Sequence, residues 1–182
     1  MKALTDEIIS KAKKIKLLLT DCDGVLTDAG TYYSNNGEEM KRFSIRDGMG
    51  VERLRHLVSI EAGIITGETS SIVNKRARKL GINECHCGIH DKYSKFLEII
   101  QRKKIAPGEV AYIGDDTNDI EIIKHAGLSA CPSDAFSSII AIADIVVDSK
   151  GGHGAFRDFA EILIDCQLNE KTYENGKKGK SR

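Results

Sequence analysis

The sequence predicts an α/β fold, a doubly wound parallel sheet interrupted once by a protruding β-hairpin. Short apolar runs of strand length alternate with segments of helical periodicity, the pattern of parallel strands joined by helical crossovers. The alternation breaks at residues 30–45, where two short β-prone stretches flank Asn36-Gly37, the strongest short hairpin-turn signal. Three predicted strands end in polar clusters: Asp21/Asp23, Thr66-Gly67, and Asp115/Asp116/Asp119. Ligands of open parallel sheets bind beyond the carboxyl ends of the strands, so these clusters should converge on one crevice.

Taken in order, residues 5–14 predict a helix capped by Thr5, with Ile8, Ile9 and Ala12 on one face. Lys16–Thr20 is a buried parallel strand that stops at Asp21-Cys22-Asp23-Gly24. After the hairpin, Asp47 would cap a helix running to Val58, with Val51, Leu54 and Leu57 inward. Ile60–Ile65 is the next strand. Ser70 or Ser71 opens a helix carrying Ile72, Val73, Ala77 and Leu80, closed by Gly81. Asp91 begins another, with Phe96, Leu97 and Ile100 inward. Val110–Ile113 is a strand, residues 119–126 a helix, and Gly127–Ala130 leads to a short strand. Residues 134–143 read as helical, Ile145–Val147 as a last strand and Ala155–Cys166 as the closing helix.

The chain has 182 residues, 41% hydrophobic and 30% charged, an ordinary globular mixture at single-domain length. We read residues 1–168 as one domain and 169–182 as a polar basic tail without structure. The tail carries five basic and two acidic residues and no apolar periodicity. A net charge of zero gives no electrostatic case for nucleic acid, and a basic run of this kind is usually just solvated. No apolar stretch approaches the roughly 18 residues of a membrane span, and the first residues lack the apolar centre of a signal peptide. Cys85, His86, Cys87 and His90 cluster, but C-x-C with two nearby histidines fits zinc spacing poorly. Five scattered cysteines read as reduced thiols in a cytoplasmic protein.

Carboxylates crowded at one point repel each other, and a hard cation such as Mg²⁺ resolves this while screening an anionic nucleophile from a phosphate. One carboxylate can attack phosphorus to form an aspartyl phosphate. A second, two residues on, can protonate the leaving alkoxide and then activate the water that cleaves the intermediate. Thr66, Gly67 and nearby amides can hold phosphate oxygens, and Lys92, at a helix start, can neutralise developing charge.

At this point a resemblance is clear. Asp21-Cys22-Asp23-Gly24-Val25-Leu26-Thr27-Asp28, Thr66 after Ile64-Ile65, Lys92, and Gly114-Asp115-Asp116-Thr117-Asn118-Asp119 resemble, in order, the four motifs of the haloacid dehalogenase superfamily, whose core is Rossmann-like. The resemblance spans roughly residues 15–165, and the conjunction of motifs is far more specific than any one alone. It implies Asp21 as nucleophile and magnesium ligand, and Asp23 as general acid/base and backbone-carbonyl ligand. It implies Asp115 as the third protein ligand, and Asp116 and Asp119 as orienting groups for Lys92 and metal-bound waters.

The gaps from Asp28 to Thr66 and from Thr66 to Lys92 leave no room for a cap domain. Mutases and phosphotransferases need a cap, and a non-catalytic domain would have lost Asp21 or Asp23. Within the capless branch, the hairpin, Arg42–Gly50 and Gly151–Arg157 resemble the 3-deoxy-D-manno-octulosonate 8-phosphate phosphatases. That resemblance implies a homotetramer built on the hairpins and a small sugar acid phosphate as substrate. It implies a Gly-rich segment able to close over the site, with Arg46, Arg76 and Arg157 as substrate residues. One position departs: Glu68 stands where that family usually has Arg. A Glu there, working with an Arg at the position of Arg76, resembles the phosphatases of nine-carbon 2-keto-3-deoxy sugar acids. Both substrate classes stay open on the sequence, as does a plain surface role for Glu68 and Arg76.

Overall fold

The computed structural model describes residues 4–178, with side chains to residue 168. Helix α1 (Asp6–Ala12) leads into β1 (Leu17–Thr20), followed by the hairpin strands β2 (Thr27–Ser34) and β3 (Gly37–Phe43). Then come α2 (Ile45–Arg53), a π-helical turn (Leu54–Val58), β4 (Glu61–Ile65), α3 (Ser71–Lys79), β5 (Glu84–His86) and α4 (Lys92–Lys103). The chain ends with β6 (Val110–Ile113), α5 (Ile120–His125), β7 (Leu128–Cys131), α6 (Ser137–Ile140), β8 (Ile145–Val146) and α7 (Ala155–Lys178). Six parallel strands form one sheet in the order β5-β4-β1-β6-β7-β8. The strand that carries Asp21 therefore lies between those that lead to Thr66 and Asp115.

Side chains alternate across the sheet. Leu18, Ala62, Ile64, Ala111 and Ile113 pack with α1, α2, α3 and α7 on one face. Leu17, Leu19, Val110 and Tyr112 pack with α4, α5 and α6 on the other. The sheet is thus covered on both faces, as parallel sheets require, and no cap domain is inserted among the described residues.

Several elements differ from the sequence reading for local reasons. The hairpin's left-handed step falls on Gly37 (φ 104°), and Ser34 pairs with Gly37, so Asn35 and Asn36 form the turn. Ser44, not Asp47, caps α2, accepting from Arg46 N at 3.1 Å. Asp47 is buried one turn in. The π-helical turn shifts the helix face, so Val58 is buried and Leu57 is exposed. Leu97 is exposed and Ile99 takes the inward position. Edge strand β5 has only three residues, too short to show periodicity, and the sequence reading missed it. Helix α7 continues past residue 168, into the segment read as unstructured. Extending a formed helix adds one hydrogen bond per residue and needs no new nucleus. Residues 179–182 of that segment lie outside the described residues.

Candidate active site

The three polar clusters converge at the carboxyl ends of β1, β4 and β6. They border a cleft of about 290 Å³ lined by Asp21, Asp23, Thr66, Glu68, Asp115 and Phe136, among others. A groove of about 350 Å³ at the opposite end of the sheet, lined by Lys14, Lys16 and Gln167, contains none of these groups.

Asp21 extends the β1 ladder, donating its N–H to Ile113 O at 3.0 Å, and is only 5% exposed. Lys92, the first residue of α4, is fully buried, and its Nζ lies 3.0 Å from Asp21 Oδ1 and 2.7 Å from Asp119 Oδ1. A cation at a helix N-terminus opposes the helix dipole, and these two carboxylates offset that cost. Burial lowers the affinity of Lys92 for its proton, but Asp21 and Asp119 more than compensate and leave its pKa raised.

Asp119 has no free capacity. Its Oδ1 also accepts from Tyr112 Oη at 2.6 Å, and its Oδ2 accepts from the N–H groups of Asp115 at 3.0 Å and Asp116 at 3.3 Å. Tyr112 is fully buried, and burial pushes its phenol well above its usual range, so it stays a donor. Asp115 differs: its Oδ1 is buried with no hydrogen-bond partner. Burial, with the charges of Asp21 and Asp119 behind it, pushes Asp115 up to about 8. Burial and the charge of Asp119 push Asp21 up to about 7 against the pull of Lys92.

Asp21, Asp115 and Asp119 each present an oxygen within 4.8 Å of the others. A small hard dication fits this donor set, because it would satisfy the orphaned oxygen and offset the burial and the carboxylate repulsion that together raise both pKa values. Its carboxylate ligands would be Asp21 and Asp115, since the oxygens of Asp119 are already engaged. Gly24 (φ 89°) is required here, because a Cβ on it would collide with the Asp115 carboxylate.

The model of the haloacid dehalogenase-like hydrolases matches residues 64–157. The 3-deoxy-D-manno-octulosonate 8-phosphate phosphatase of Escherichia coli K12 is 40% identical over 161 residues, 88% of this chain and 85% of its own length. The chain belongs to this phosphatase family. Solved structures agree. The Yersinia pestis phosphatase superposes with a TM-score of 0.86 at 36% identity, covering 90% of this chain and 88% of its own. The Moraxella catarrhalis phosphatase, solved with magnesium, phosphate and 3-deoxy-D-manno-octulosonate, superposes with a TM-score of 0.88 at 33% identity, covering 95% and 99%.

The structure treats the family's signature residues unequally. Thr66 is buried at the carboxyl end of β4, lining the same cleft as Asp21, and its hydroxyl accepts from Glu68 N at 3.3 Å. Gly67 and Glu68 face the cleft. Asp116 caps the turn after β6 through Thr117 N at 2.6 Å and makes no hydrogen bond to Lys92. The arginines do not line the cleft. Arg46 is exposed. Arg76 donates to Ser44 O at 3.0 Å and lies over the Phe43 ring at 5.7 Å. Arg157 pairs with Glu161 at 2.6 Å, and its backbone N–H donates to Asp47 at 3.0 Å. The Gly-rich segment backs the loop from Asp21 to Val25. Gly152 N donates to Val25 O at 2.9 Å, and a Cβ on Gly151 would strike Gly24 O.

Sequence reasoning missed two polar residues. Tyr112 was visible as the one hydroxyl in a fully apolar strand, which needs a partner when buried. Lys41 is the second. Its side chain is 1% exposed, and its Nζ bonds both Asp23 oxygens at 2.7 Å. The signal was its place on the hairpin, next in sequence to the outward-facing Met40.

Proposed function

We propose that this chain hydrolyses the 8-phosphate of 3-deoxy-D-manno-octulosonate through an aspartyl-phosphate intermediate, with Mg²⁺ as cofactor. The observation that carries the reading is the buried pair of Asp21 and Lys92 beside half-buried Asp115, whose Oδ1 is buried without a partner, set in a chain 40% identical to a phosphatase of that substrate.

Asp21 attacks phosphorus while Asp23 protonates the departing alkoxide. Asp23 then takes a proton from the water that cleaves the acyl phosphate. Thr66 and the amides around Gly67 hold phosphate oxygens, and Lys92 balances charge as it moves onto Asp21. Asp119, fixed by Tyr112 and two amides, keeps Lys92 in register. Bound Mg²⁺, held by Asp21, Asp115 and the backbone carbonyl of Asp23, would screen the phosphate from the nucleophile. Glu68 at the cleft supports a second reading, a nine-carbon sugar acid 9-phosphate. Phosphate release measured over eight- and nine-carbon sugar acid phosphates separates the two. Preference for the eight-carbon ester by about tenfold or more in kcat/KM is expected, and equal or reversed preference would overturn it.

A capless site is open to water, and a homotetramer would cover it. Tyr32, Tyr33, Met40 and Ile45 are exposed on and beside the hairpin, and a lone two-stranded hairpin is marginally stable in water. Light scattering on the active enzyme should give four subunits per particle; a fully active monomer contradicts this. We assign residues 1–168 to one phosphatase domain. A cytoplasmic location is supported by the unpaired state of the five cysteines, and no described helix is long and apolar enough to cross a membrane.

A further inference from the structure

Lys41 is a cation that the hairpin sends inward. Along β3 the neighbouring Met40 is 59% exposed, whereas the Lys41 side chain is 1% exposed. Taking an ammonium out of water is costly unless it is paired and hydrogen-bonded. Here the pairing is with an active-site carboxylate: Nζ donates to both oxygens of Asp23 at 2.7 Å. On its far side Lys41 lies 3.5 Å from Glu38, which accepts from the hydroxyl of Ser70, the residue that caps α3. The Thr27 hydroxyl gives Asp23 a third bond at 3.1 Å. One chain of contacts therefore joins the nucleophile loop, the hairpin and the helix that follows the Thr66-Gly67-Glu68 turn.

We infer that Lys41 is a positioning residue for Asp23, so that the hairpin is part of the acid–base machinery as well as an assembly arm. The inference rests on the assignment of Asp23 as acid/base. Bonds from one buried ammonium to both oxygens set the rotamer of the Asp23 carboxyl group; when one oxygen carries the proton to be delivered, the bond to the other oxygen remains. Misplacement of a reacting group by about 1 Å can cost on the order of 100-fold in rate. Without Lys41, Asp23 keeps only the bond from Thr27, which leaves its second oxygen unheld, and Glu38 faces it as an unscreened like charge.

The test is leaving-group dependence. An alkyl phosphate departs as a strongly basic alkoxide and needs the proton that Asp23 delivers. A nitrophenyl phosphate departs as a stable phenolate and does not. Rapid-quench single turnovers on an alkyl phosphate that the wild type hydrolyses are compared with the nitrophenol burst from p-nitrophenyl phosphate. Lys41→Met should slow alkyl ester cleavage by about 100-fold and the nitrophenol burst by less than about threefold, with KM for the alkyl ester little changed. Lys41→Arg should recover alkyl cleavage to within about tenfold of wild type. Should Lys41→Met not fold, Glu38→Gln, which loosens Lys41 from behind, should slow alkyl cleavage by about fivefold and spare the burst. Equal losses on both ester classes, or none on either, would overturn the inference. Because the alkyl ester is whichever one the wild type cleaves, failure of the eight-carbon assignment alone leaves this comparison intact.

Discussion

The floor of the cleft and its rim are built on different terms. On the floor, Asp21, Lys92, Asp119 and Tyr112 are buried and fixed to strand ends or a helix start, each held by partners inside the site. On the rim, Glu68 is exposed, and the arginines stand back from the cleft, Arg46 exposed and Arg76 and Arg157 bonded into the scaffold. Charges on the floor are desolvated, so each must be paired and its position is over-determined. Charges on the rim and behind it stay solvated or serve packing, so their positions are less constrained. Catalysis should therefore be intolerant of change on the floor, and substrate choice should respond to change on the rim.

The largest expected effect is on the floor. Asp21→Asn should lower kcat by at least about 10⁴-fold while circular dichroism shows an intact fold. Phosphate release in a burst from that variant would place the nucleophile elsewhere. Next is Lys92→Met, which strands Asp21 and Asp119 together without a cation. Removing one partner of a buried ion pair costs about 3–5 kcal/mol, so urea denaturation should show a loss of that size. A loss below about 1 kcal/mol, the value of a surface pair, would mean that the floor is not as dry as its burial indicates.

How much of this was legible in the sequence follows the same division. Asp21, Asp23, Thr66, Lys92 and Asp115 were readable because each follows a strand or opens a helix, where chain pattern and chemistry coincide. Tyr112 and Lys41 carried only a general signal, a polar group in an apolar or alternating strand, because their roles depend on partners 7 and 18 residues away that only the folded chain brings near. Asp47 misled for a related reason. As an acid near a predicted helix start it reads as a cap, but Ser44 takes that place. Asp47 instead accepts the N–H of Arg157, 110 residues on, where α7 begins. The Gly-rich segment read as a cover for the site, yet Gly151 sits so close to Gly24 that it admits no side chain. A motif spacing cannot distinguish those two uses of glycine.

Magnesium should sharpen the contrast through pH. Without a metal, burial and the neighbouring carboxylate charges push Asp21 up to about 7 and Asp115 up to about 8, from 3.8 for an ordinary Asp. The folded state then binds more protons than the unfolded one across that interval, so its stability should fall as pH rises from about 4 to about 8. Magnesium competes with those protons and should restore most at the alkaline end. At a free concentration about 100 times its dissociation constant it stabilises by about 2.7 kcal/mol. Thermal melts with and without magnesium at pH 6 and pH 8 should show the larger shift at pH 8. A shift independent of pH would mean that the two carboxylates are already ionised without the metal.

The smallest effect expected is at the rim, where Glu68 tests substrate choice. Glu68 lines the cleft, and Arg76 is turned away from it onto Ser44 and Phe43, so no ion pair joins them in this subunit. An acidic group beside an anionic substrate is unfavourable unless it meets hydroxyl donors, which the distal end of a longer sugar acid supplies. Losing a hydrogen bond to a charged group costs on the order of 1.5–3 kcal/mol. Glu68→Arg should therefore lower kcat/KM for a nine-carbon 9-phosphate by about 10- to 100-fold. It should leave the eight-carbon 8-phosphate unharmed or improved, since an added cation attracts its carboxylate. Because Glu68 is exposed and bonds the fold only through its backbone, the melting temperature should hardly move. Equal responses from both substrates would remove Glu68 from recognition. Specificity would then have to come from Arg46, Arg76 and Arg157, and those arginines meet substrate only if they leave their present partners or cross to a neighbouring subunit's cleft.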